Sequence, residues 1–320
     1  MKNIFIALII LVSSLAIGQK KNTNEDLILF EKTVALQELL NEDLAKFINI
    51  TDTINLTKEE KIKQKTATDI SEEILTKVIN NYDELIKNFP KSKHIFRALN
   101  NKGFALLELK KYDKAKEIFL QIVSSEANDK EKGGIGSGIM SEPFANYKNR
   151  ALNMLANMEI QNKSYEEAIK YLNETKKYPY RHFCGNAYAA EQLYMAEQLS
   201  KCYIGLNQND KALDILLPNI FENGLASNDE LIDITIATLL KRNKKEDLKI
   251  LFENSFKNII TEKEVNKKKS YTYTNYYINF LNRKIKLTSW ELFEGLTDLE
   301  RENVLSKIIK ESRFYSLLKN

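Results

Sequence analysis

"RALNNKGFALLELKKYDKAKEIFLQIV" fills residues 97–123, and "RALNMLANMEIQNKSYEEAIKYL" fills residues 150–172. The shared opening recurs 53 residues on, and each copy is followed by an aromatic, a small residue and a large apolar one: Tyr112, Ala115, Phe119 in the first and Tyr165, Ala168, Leu172 in the second. Apolar residues in both stretches recur every three to four positions, the spacing of one face of a helix. Weaker copies extend the series. Ala212 with Leu216 and Leu248 with Phe252 lie downstream, and Val78 with Tyr82 and a closing Pro90 lies upstream, so the anchors fall at 78, 115, 168, 212 and 248.

A second helical stretch precedes the well-formed anchors, at residues 97–109, 150–161, 190–206 and 229–240. Gly103, Ala156 and Ser200 stand where two helices must touch, because a small side chain lets the partner approach closely. Each unit is thus a helix–turn–helix that cannot bury its apolar face alone and must stack on neighbours.

On these residues the chain resembles the tetratricopeptide-repeat family, whose pattern joins Leu-Gly and Tyr in a first helix to Ala-x-x-x-Phe and a closing Pro in a second. The matching positions are Leu99, Gly103, Leu106, Ala115 and Phe119; then Leu152, Leu155, Ala156, Ala168, Leu172 and Pro179; then Leu199, Tyr203, Ala212 and Leu216. The stretch "NFPKSKHIFRALNNKG" is similar to repeat junctions of envelope-associated bacterial members. The resemblance covers residues 69–260 and implies an all-α fold, a right-handed α-solenoid. It further implies a concave groove lined by the first helices: Arg97, Asn100, Phe104 and Leu107; Arg150, Asn153, Asn157 and Ile160; Tyr194, Glu197 and Lys201. Members that clamp a C-terminal carboxylate carry Lys where Asn100 and Asn153 stand, so that specificity does not carry over. The repeated Arg and Asn still suit a peptide backbone or a carboxylate.

The family period is about 34 residues, so about 19 are inserted between Ala115 and Ala168. They fall within residues 124–146, where Gly133, Gly134, Gly136 and Gly138 oppose a regular helix. Residues 19–68 read as an N-terminal helical cap, with apolar positions from Leu27 to Leu40 at helical spacing. Residues 261–320 change texture. A β-hairpin is expected at 271–280 and 284–287, turning at Asn282 and Arg283, then a helix capped by Thr297 and Glu300.

Residues 1–18 have the form of a cleaved export signal: Lys2, an apolar run at 4–12, and Ala16 and Gly18 before Gln19. The apolar run is short against the roughly 20 residues a span needs, so no stable membrane anchor is expected after cleavage. The product is expected to be periplasmic or secreted. With 48 Lys and Arg against 44 Asp and Glu, and no basic stripe, nucleic acid is not an expected partner.

Chemistry-bearing motifs are scarce. "GGIGSG" at 133–138 lacks the Lys-Ser/Thr of a phosphate loop, and Ser137 lacks nucleophile-elbow spacing. His182 and Cys184 are too few for a structural metal site. Cys184 and Cys202 are 18 residues apart; on one helix that is roughly 27 Å, beyond disulfide reach. No enzyme, cofactor or metal is expected. The expected function is an exported scaffold binding a protein or peptide in the cell envelope. The alternatives are an envelope-modifying hydrolase using the Gly-rich loop and a self-associating architectural protein using the Tyr-rich segment.

Overall fold

The computed structural model describes residues 24–48, 56–133, 142–221, 226–266, 271–289, 291–292 and 295–320. The proposed signal, most of the Gly-rich loop with Ser137, and the basic run 267–269 lie outside them. The chain divides into two compact units, Met1–Ala127 and Asn128–Asn320.

Among the described residues of the first unit, the regular elements are all helices. Helix α1 (Glu25–Glu38) continues through a π turn (Leu39–Leu44) into the short α2 (Ala45–Ile48). Helix α3 (Lys58–Asn88) starts at a capping box: Thr57 Oγ1 accepts from the Glu60 amide, and Glu60 Oε2 accepts from the Thr57 amide. It runs unbroken through residues 68 and 69, where the cap was expected to end and the repeats to begin. It stops before Pro90, whose ring disfavours helical backbone at Phe89. Val78, Tyr82 and Leu85 on one face are fully buried and pack with α1 and with α4 (Ile95–Glu108). Helix α5 (Tyr112–Ser124) returns antiparallel on α4.

The second unit begins with two such helix pairs, α6 (Tyr147–Gln161) with α7 (Tyr165–Glu174) and α8 (Gly185–Gly205) with α9 (Asn209–Leu216). Helices α10 (Asp229–Leu240) and α11 (Lys245–Ser255) follow. All five anchors, Val78, Ala115, Ala168, Ala212 and Leu248, are fully buried.

Three of the pairs turn identically. Lys110, Lys163 and Asn207 adopt left-handed backbone (φ 57, 60 and 58). In each, the next amide reaches back to the helix: Lys111 to the Leu106 carbonyl, Ser164 to Glu159, Gln208 to Tyr203, all at 2.8 Å. The left-handed residue itself donates to Leu107, Ile160 or Ile204. This is the Schellman arrangement, which satisfies the last carbonyls of a helix and normally employs Gly. Side chains other than Gly are disfavoured there by roughly 1–2 kcal/mol, against an unfolded-state entropy cost of Gly of roughly 0.5–1 kcal/mol. Exposed Lys110 and Lys163 replaced singly by Gly should therefore each add roughly 0.5–1 kcal/mol of stability. Urea midpoints check this; no increase at either site would contradict it.

At the C-terminus the expected hairpin and helix follow the helical repeats, the hairpin as part of a larger sheet. A three-stranded antiparallel sheet in the order β1 (Ile260–Asn266), β2 (Tyr271–Phe280), β3 (Arg283–Leu287) follows α11. The expected hairpin is β2–β3, and β1 is an additional strand. Its turn residues are Leu281 and Asn282 (φ 51 and 60), one position earlier than expected. Two consecutive left-handed residues make the two-residue turn whose twist matches the flanking strands. Ile278 pairs with Ile285 and Tyr276 with Leu287. Ile278, Phe280, Ile285 and Leu287 all face a core shared with Leu248 and Phe252 of α11. Helices α12 (Asp298–Lys310), capped by Thr297 and Glu300 as expected, and α13 (Arg313–Lys319) complete that core through Leu305, Ile309, Phe314 and Leu318. Sheet and helices together cover the apolar face that the final helix pair would otherwise expose. Arg283 ties the hairpin turn to α9, donating to Asp214 at 2.8 Å and to the Asp210 carbonyl at 3.1 Å. Arg313 holds Asp233 of α10 with two hydrogen bonds.

Candidate functional site

The inserted segment prepares the ground. Its two ends run together: the Ala145 amide donates to the Glu131 carbonyl, the Asn146 amide to Asp129, and Gly133 to Pro143. Asp129 also reaches the start of α6, its carboxylate accepting from the amides of Lys148 (2.8 Å) and Asn149 (3.3 Å). An acidic side chain there satisfies helix-terminal donors and complements the helix dipole. Asn146, which occupies the capping position itself, is thereby released for another contact. Its Nδ2 donates to the Arg181 carbonyl (3.0 Å) and its Oδ1 accepts from the Arg181 amide (2.9 Å). The Asn149 Nδ2 donates to the Tyr178 carbonyl at 2.9 Å. The segment around Tyr180 is thus fixed beside the first turn of α6.

Between that segment, α6 and α8 lies a cleft of about 250 Å³, lined among others by Glu142, Arg150, Asn153, Asn157, Tyr180, Glu191 and Tyr194. Across it the Tyr194 hydroxyl donates to Asn157 Oδ1 at 2.9 Å, and Asn153 Nδ2 lies 3.4 Å from Glu191 Oε1. Arg150 is ion-paired with Glu142 from the inserted segment, both side chains mostly buried. Further along α8, Lys201 bridges Glu197 and Glu230.

Burial pushes the Glu191 carboxyl above its ordinary range; the Asn153 hydrogen bond works against this and the Glu142 charge adds to it. Burial, reinforced by the Glu142 and Glu191 charges, pushes the Tyr180 phenol up to about 12. Burial also raises the Tyr194 phenol. Burial opposes the charge on Lys201, but the hydrogen bonds to Glu197 and Glu230 outweigh it and hold its pKa high.

The eleven residues expected to line a groove divide as follows. Arg150, Asn153, Asn157 and Tyr194 meet at this cleft. Glu197 and Lys201 are paired on the same helix. Ile160 packs into the core around Ala156, Ala168 and Cys202, so it supports the helix pair from inside. Arg97, Asn100, Phe104 and Leu107 belong to the first unit. There Phe104 stands edge-on to Phe119 (centroids 5.7 Å apart), and Asn100 is 3% exposed. That burial places Asn100 within the helix packing and not on an open face. Burial recurs at its counterpart Asn153, 7% exposed. In both asparagines Oδ1 is buried without a hydrogen-bond partner.

Glu142, Tyr180 and Glu191 were not anticipated. Glu191 stands three residues before Tyr194 on the same helical face, a signal that was legible. The other two enter only through chain folding.

The remaining chemistry-bearing residues have structural partners. His182 Nδ1 accepts from the Cys184 amide at 2.9 Å, organising the turn before α8. Cys184 and Cys202 are free thiols, at the start and near the end of one helix. Burial pushes the Cys202 thiol up to about 11. Among the described residues, no group of three or more His, Cys, Asp or Glu is placed to hold a metal. Among the same residues, no helix is long and apolar enough to cross a membrane.

Comparison with known families agrees with the repeat geometry. The family model described as tetratricopeptide repeat matches residues 96–129, which take in α4 from its second residue, the Schellman turn and α5. That match supports a tetratricopeptide-repeat protein, a class that generally serves as a non-enzymatic protein-interaction module. No curated protein matches the chain.

Proposed function

We propose that this protein is an exported scaffold of the cell envelope that binds a peptide segment of a partner protein along the first helices of its repeats. The right-handed solenoid that the family resemblance implies is part of this reading. So is release of residues 1–18, leaving Gln19 as the first residue. The observation that carries the proposal is the cleft between α6 and α8. Four residues chosen from repeat positions converge there, with side chains that hydrogen-bond across it. A concave, polar-lined cleft between helices is a preferred place for a ligand.

The test is positional photo-crosslinking in the native envelope. A benzophenone side chain replaces Met154, which lines the cleft, or Lys170, which is exposed on α7. A discrete protein adduct from position 154 and none from 170 is expected. No adduct at 154, or equal adducts at both, would overturn peptide binding at this face. Intact mass of the same preparation should start at Gln19; a retained Met1 would overturn export.

A further inference from the structure

The hydrogen-bond ledger of the cleft is unbalanced in one direction. Among the described residues its one cation, Arg150, is paired with Glu142, and Tyr180 is hydrogen-bonded to the same carboxylate. The Tyr194 hydroxyl is spent on Asn157. What remains open is acceptor capacity. Asn153, more than nine-tenths buried, has an amide nitrogen engaged by Asn149 Oδ1 at 3.2 Å and Glu191 at 3.4 Å, while its Oδ1 has no partner. Glu191 receives a long contact from Asn153 at 3.4 Å. A buried acceptor left without a donor is unfavourable, more so when it is charged, so this wall favours a donor.

We propose that the cleft receives a cationic side chain of the bound segment, an arginine in preference, with Asn153 Oδ1 and the Glu191 carboxylate as its acceptors. This rests on the peptide-binding reading above and names the chemistry of its anchor. Guanidinium presents several N–H donors in one plane and no acceptor, so it fits a wall that offers acceptors alone. The Tyr180 and Tyr194 rings supply aromatic surface on which such a cation is also favourable. The charge around it has the right sign: Lys201, the next cation along α8, is already held by Glu197 and Glu230. Seating a cation also relieves the cost of keeping Glu191 ionised in a buried place. A carboxylate ligand, by contrast, would have to displace Glu142 from Arg150.

The probes are N-acetyl-arginine amide, its neutral isostere N-acetyl-citrulline amide, and acetate, each titrated into the full chain by NMR. The arginine probe should bind, with citrulline weaker by about tenfold or more, equivalent to about 1.4 kcal/mol. Glu191→Gln, which keeps the shape and removes the charge, should lose a similar factor for arginine only, with circular dichroism unchanged. Equal binding of arginine and citrulline, preference for acetate, or an unaffected Glu191→Gln would overturn the proposal. The two readings separate cleanly. An adduct at position 154 without arginine selectivity sinks only the cationic anchor, and arginine selectivity without an adduct leaves the cation site standing but overturns peptide binding at this face.

Discussion

Phe252→Ala is expected to cost about 3–5 kcal/mol of stability, as large aromatic truncations in packed cores do. Phe252 is fully buried and sits where α11, the sheet and the last helix meet. Its ring centroid is 5.0 Å from Phe256, 5.1 Å from Phe280 of β2, 5.0 Å from Phe314 and 6.1 Å from Tyr315 of α13. Most of these pairs are edge-to-face, the geometry in which ring quadrupoles attract. Truncation opens a cavity whose walls belong to three different elements, none of which can collapse into it without dragging its own backbone. Phe252→Leu keeps most of the volume and should cost less than half as much. Urea unfolding followed by far-UV circular dichroism measures both. A loss under about 1 kcal/mol for the alanine variant would show that the sheet and α13 are not integral to the second unit's core.

The second large effect is expected at Gly103. A Cβ built there would lie 2.7 Å from Phe119 Cε1 and 2.9 Å from Cζ. Phe119 is fully buried and flanked by Phe104, so its ring has nowhere to retreat. Gly103→Val adds three carbons to this contact and brings little helix propensity in return, whereas Ala would recover about 1 kcal/mol. An overpacking cost of about 1–3 kcal/mol or more is expected for Val. Phe119→Leu should rescue part of it, so that the double variant is more stable than the sum of the single losses predicts. Strict additivity would mean that the ring is not what Gly103 accommodates. Gly205 approaches the Tyr165 ring still more closely than Gly103 approaches Phe119. Tyr165 is only half-buried and can swing outward, so Gly205→Ala should be the milder change.

The site divides along a physical line. Arg150, Asn153, Asn157 and Tyr194 were legible because helical periodicity and the repeat register together say which face of which helix a residue occupies. Neither says what comes to meet that face. Glu142 arrives from the inserted segment, and Tyr180 from a turn fastened by Asn146 to the Arg181 backbone. These contacts reverse the chemistry that the amino-acid types had implied. Two arginines in equivalent places read as cations for a carboxylate, but Arg150 is neutralised within the chain. The buried asparagine oxygen is then left as the unmet demand. A residue's type states what it can donate or accept; only its partners state what it still has to offer.

By itself the sequence determined the helix pairs and their contacts. Apolar spacing at three and four residues, with the small Gly103, Ala156 and Ser200 in the first helices, leaves few ways to bury those faces, and every anchor is buried as that pattern requires. Such contacts are local, made between neighbours joined by a few residues, and local constraints are written in local order. Tertiary structure decided the rest. The strand β1 has exposed residues along most of its length and exists because β2 offers it a ladder edge. The left-handed residues at the three turns, Lys110, Lys163 and Asn207, are tolerated because helix packing sets the chain reversal. The acceptor-rich cleft was decided last, since whether a polar atom is satisfied depends on segments that sequence spacing does not bring together.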